Sequence, residues 1–88
     1  MIVQLTDDIF FGFKIKINID NFKSVFDICN YVKNKLIELL EENNFELLLD
    51  RANRMKLHIH NYKNIHEIKN NENSILYVCS NKCYLDYN

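Results

Sequence analysis

Hydrophobic and polar positions alternate most cleanly near the start of the chain. Phe13, Ile15, Ile17 and Ile19 fall on one side, with Lys14, Lys16 and Asn18 between them. That period of two marks a half-buried strand. Extended backwards, it predicts a strand over residues 9–19, with Gly12 beside Phe10-Phe11 as a candidate bulge. Residues 2–5 predict an earlier strand, and Thr6-Asp7-Asp8 an Asx-type turn between the two, so the N-terminus reads as a hairpin. The period then changes. Val25, Ile28, Val32, Leu36 and Leu39 recur at three and four, with Cys29 and Leu40 widening the stripe, which predicts one long amphipathic helix. Ser24 followed three residues later by Asp27 is a capping pattern, and Asn43-Asn44 suits the helix's end.

Beyond that helix the pattern weakens. Residues 45–55 show no clear period, and Leu47-Leu48-Leu49 fits either the start of a strand or a further helical turn. Alternation returns where Met55, Leu57 and Ile59 interleave with Lys56, His58 and His60, predicting a third strand. Residues 65–68 suit a single helical turn and residues 69–74 an exposed turn. Ile75 to Cys79 reads as a buried strand by its β-branched and aromatic content. The expectation is an α+β domain over residues 1–79, one main helix packed on a mixed sheet of four or so strands, followed by a tail over 80–88. The helix should bury Val25, Ile28, Val32, Leu36 and Leu39 against Ile15, Ile17, Leu57, Ile59, Leu76 and Val78.

Composition narrows the functional classes. Eighty-eight residues make one domain with a thin core. A formal net charge of −1 supplies no global basic field for nucleic acid or an anionic membrane. The apolar runs are far shorter than the roughly 18 residues of a membrane span, and the first residues lack the basic start of a signal peptide. Three cysteines, an odd number, argue against a disulfide framework and for an intracellular, reducing compartment. Asn, Ile and Lys fill more than a third of the chain, a bias expected of an A/T-rich genome. Asn-rich loops are therefore weak evidence of function here.

The element order strand, strand, capped helix, strand, short turn, strand resembles the β-grasp, or ubiquitin-like, fold. Ser24-Val25-Phe26-Asp27-Ile28 with Val32 is similar to the helix start of that family. Residues 55–60 followed by Asn61-Tyr62-Lys63 are similar to its third strand and turn, and residues 65–68 with Ile75-Leu76-Tyr77-Val78 to its short helical turn and closing strand. The chain ends Tyr84-Leu85-Asp86-Tyr87-Asn88 with no Gly-Gly, so the resemblance implies a non-conjugated interaction domain without a cofactor. It implies a partner-binding surface on the open sheet face, the side turned away from the helix.

Alternation along the strands assigns Lys14, Lys16, His58, His60 and Tyr77 to that face, with Cys79 beside them. They form the candidate site for a protein partner. An ordinary solvated sheet face is the simpler account of the same pattern. The alternative is a small nucleic-acid-associated factor that uses Arg51, Arg54, Lys56 and Lys63 on phosphates. Against it stand the acids upstream, Glu38, Glu41, Glu42, Glu46 and Asp50, which can neutralise those cations. His58 and His60 with Cys79 and Cys83 offer a zinc-like set of permissive spacing, but an apolar core that needs no metal argues for no metal site. No phosphate loop, nucleophile elbow or metalloprotease helix is present, so no catalytic residue is assigned. Homodimerisation through a sheet edge, or through Tyr84 and Tyr87, is a third possibility.

Overall fold

The computed structural model describes residues 1–59 and 61–80. Strands β1 (Ile2–Leu5), β2 (Lys14–Lys16), β3 (Leu57–Ile59) and β4 (Ile75–Ser80) form one four-stranded sheet in the order β2-β1-β4-β3. The outer strands run antiparallel to their neighbours, whereas the two middle strands, β1 and β4, are parallel. Helices α1 (Val25–Glu42), α2 (Glu46–Arg54) and α3 (Ile65–Lys69) complete the described elements, with a 3-10 turn at Ile19–Asn21. The chain is thus a small α+β domain with a mixed sheet, as the alternating and helical periods predict.

Register explains the core. Val3 stands opposite Ile15 and Leu76, and Leu5 and Ile59 both oppose Val78, so these residues share one sheet face. They pack in one cluster with Ile28, Val32 and Leu36 of α1, Ala52 of α2, Met55 and Ile68 of α3. Helix α1 starts where the sequence says it should. The Ser24 hydroxyl accepts from the Asp27 N–H at 3.2 Å, and the Asp27 carboxylate accepts from the Lys23 N–H at 3.3 Å. Its end is a Schellman-type stop. Asn44 takes the left-handed conformation (φ 58°), its N–H donating to the Glu41 carbonyl and the Phe45 N–H to that of Leu40.

Several expectations need correction. The long second strand over 9–19 shrinks to Lys14–Lys16, because a turn held by Asp7 occupies the residues before it. Gly12, at φ 92°, serves that turn rather than a bulge, in a conformation that disfavours side chains. Leu39 is not buried; it is 44% exposed, and Cys29 and Leu40 take the inward positions, while Val25 is half-buried. The unassigned segment 45–55 forms α2, whose Leu48, Leu49 and Ala52 turn inward. Ser80, assigned by the sequence to a tail over 80–88, belongs to β4, and residues 81–88 lie outside the described ones.

Candidate functional site

Pairing places the residues of the open sheet face in rows. Lys16, Ile2 and Ile75 make one row, and Lys14, Gln4 and Tyr77 the next. In a third row His58 opposes Cys79, and Thr6, just past β1, brings its hydroxyl to 3.3 Å from the Cys79 sulfur. Lys14 and Lys16 are exposed, while His58 and Tyr77 are half-buried. His60, expected on this face, lies outside the described residues. Cys79 holds its row position but is only 1% exposed, so that end of the face is not open. The Asn61 amide braces the other end, donating to the Ile75 carbonyl and accepting from the Tyr77 N–H, both at 3.3 Å.

Ile2 and Ile75 were missed as site residues. They lie side by side, 44% and 37% exposed, next to Tyr77. The signal was available: with Val3 and Leu5 inward, parity sends Ile2 outward, and an outward Ile75 follows from a buried Leu76. Beside Lys14, Lys16, His58 and Tyr77 the described face thus carries an apolar strip. Neither Lys14 nor Lys16 takes part in the ion pairs formed between described residues.

A second exposed apolar area lies where α1 hands over to α2. Phe45 is 52% and Leu47 90% exposed, beside a shallow groove of about 460 Å³ lined by Asn44, Phe45, Glu46, Leu47 and Leu48. An adjoining hollow brings Glu41 to the same rim. Helix α2 begins at Phe45 without a side-chain cap. Its far end is well held, since the Lys33 ammonium donates to the carbonyls of Asn53 (2.9 Å) and Met55 (2.8 Å), where the helix dipole favours a cation.

The basic segment is not assembled into one surface. Arg51 turns toward Asp7, its Nη2 3.2 Å from Oδ1, and Arg54 pairs with Asp50 at 2.7 Å. Lys56 follows α2 directly, and Lys63 sits in the turn before α3, where its N–H donates to Glu67. Arg51 and Arg54 are thus already engaged by carboxylates.

Asp7 is the buried acid among the described residues, 3% exposed. Its carboxylate accepts from Ser80 Oγ at 2.6 Å, from the N–H groups of Ile9 (2.8 Å) and Phe10 (3.3 Å), and from Arg51. Burial alone would raise its pKa, but the hydrogen bonds from Ser80, Ile9 and Phe10, with the Arg51 charge, outweigh it and hold the carboxyl below its ordinary 3.8. Asp7 therefore ties the β1–β2 turn to α2 and to the end of β4. Such full satisfaction suits a structural anion better than a reacting one. Burial pushes the Cys29 thiol up to about 11, which keeps it protonated near neutrality and unsuited to nucleophilic work.

Among the described residues no cluster of three His, Cys, Asp or Glu side chains is placed to hold a metal ion; His60 and Cys83 of the zinc-like set lie outside them. No helix among the described residues is long and apolar enough to cross a membrane. Compared with known proteins, the chain matches no family model, no curated protein and no solved structure.

Proposed function

We propose that this chain is a β-grasp, ubiquitin-like domain of the non-conjugated type that acts by binding a protein partner through the open face of its sheet. The fold reading is supported by the order β2-β1-β4-β3, with first and last strands parallel in the middle and α1 crossing between two hairpin-like pairs. The observation that carries the function is the strip Ile2–Ile75 beside Tyr77, exposed on the sheet face away from the helices with Lys14 and Lys16 along its β2 edge. Exposed apolar side chains that are contiguous, bordered by charge and set on a rigid sheet are what protein interfaces use as a centre and rim.

The test is a pull-down from an extract of the source cell, wild type beside an Ile75→Asp/Tyr77→Ala variant. A bound protein retained by the wild type and weakened at least about tenfold by the variant is the expected result, since interface anchors carry most of the binding energy. Retention by both proteins would move the site elsewhere. A short oligonucleotide bound with a steep salt slope, and lost on replacing Lys56 and Lys63, would replace the reading with the nucleic-acid one.

A further inference from the structure

Two of the exposed apolar areas are opposites in charge. The sheet strip of Ile2, Ile75 and Tyr77 is bordered by Lys14 and Lys16; the groove of Phe45, Leu47 and Leu48 is bordered by Glu41 and Glu46. None of these four charged groups is engaged in the ion pairs formed between described residues. The strip faces away from the helices, while the groove belongs to the helix layer, so neither can reach the other within one chain. Leu47, at 90% exposure, contributes almost nothing to its own domain's core.

From this we infer that the occupant of the sheet face is a second copy of this chain, docked head to tail through its α1–α2 groove. The inference rests on the sheet-face reading above and names its partner. Charge selects the pairing. Strip against strip brings only ammonium groups to the contact and groove against groove only carboxylates; strip against groove is the pairing that offsets both sets. Apolar area meets apolar area in that arrangement, with Leu47 filling the strip beside Tyr77. Because the contact joins two different surfaces, each pair leaves one strip and one groove unfilled, and the contact propagates unless a ring closes.

Sedimentation velocity on the full chain across a concentration series tests this, using Lys14→Glu/Lys16→Glu to block the strip and Leu47→Asp to block the groove. All three positions are solvent-facing, and an unchanged far-UV spectrum checks that each variant folds. The wild type should grow with concentration beyond a dimer and shrink as salt is raised. Each variant alone should associate at least about tenfold more weakly. Mixed, they should form a one-to-one pair and stop there, because the only attractive contact left joins the wild-type groove of one to the wild-type strip of the other. A wild type that stays monomeric throughout overturns the inference, as does a dimer that survives both variants. The sheet-face reading is separable: it stands if the Lys14→Glu/Lys16→Glu variant loses a partner from extract while the wild type is monomeric, and falls if nothing depends on that face.

Discussion

Helices α1 and α2 are neighbours in sequence and in space, yet they follow opposite rules. Helix α1 is 18 residues long, opens on a side-chain cap and closes on a left-handed Asn. Its inward stripe of Ile28, Val32 and Leu36 is almost wholly buried. Helix α2 is nine residues long, opens on Phe45 with no side-chain cap and leaves Leu47 in water. Nine residues are too few to be helical alone; α2 persists because Leu48, Leu49 and Ala52 pack inward, Lys33 closes its C-terminus and Arg51 reaches Asp7. The difference teaches that α1 is specified locally and α2 by its surroundings. Apolar side chains left idle on the second kind of element are the ones available for binding.

Substitutions can break that comparison, most forcefully in α1. Replacing Leu36 or Ile28 by Ala should cost about 2–5 kcal/mol in urea unfolding, because each is essentially fully buried and leaves a cavity. A cost under about 1 kcal/mol would mean that α1 is not the core's organiser. Next comes Asp7→Asn, which removes the charge that α2 uses as a tether; about 1–3 kcal/mol is expected at neutral pH. Its pH dependence carries a sign. The folded carboxyl lies below the ordinary 3.8, so its contribution is present above the unfolded pKa and fades as pH falls through the folded one. Wild type and variant should therefore converge in stability below about pH 4, and equal acid sensitivity in the two would remove Asp7 from the account.

Smaller effects separate local from tertiary specification. Ser24→Ala should cost about 1 kcal/mol through the lost cap of α1, read as a lower denaturant midpoint with an unchanged slope. No equivalent cap exists to remove from α2. The Leu47→Asp variant should change monomer stability by less than about 0.5 kcal/mol, since that side chain touches little, while still weakening self-association. A large loss of monomer stability would show that Leu47 serves the fold.

What could be read in the sequence follows the same division. Ser24, Asp27 and the three-and-four stripe announce α1, alternation announces β3, and β-branched and aromatic content announces β4, because those signals are local. The β1–β2 region was misread as a long strand because Ile9, Phe10 and Phe13 look like strand residues. Their backbone is instead captured by Asp7, whose partners Arg51 and Ser80 are 44 and 73 residues away. Helix α2 was invisible for a similar reason: its three leucines have no period of their own, and its tethers are remote. Of the site, parity places Lys14, Lys16 and Tyr77 and also turns Ile2 and Ile75 outward, but that the last two are neighbours follows only from the β1–β4 register.

The parallel pairing of β1 with β4 has a consequence in time. The two strands at the centre of the sheet come from opposite ends of the folded segment, with Ile2 against Ile75 and Leu5 against Val78. A ribosome that has released β1, β2 and α1 has made a hairpin and a capped helix, but not the strand on which the sheet closes. Val3 and Leu5 must wait, lacking their neighbour, until Val78 clears the exit tunnel. Folding is then necessarily a late event in synthesis, governed by closure of a long loop. Nascent chains in which Ser80 is still inside the tunnel should remain protease-sensitive, and its emergence should confer resistance.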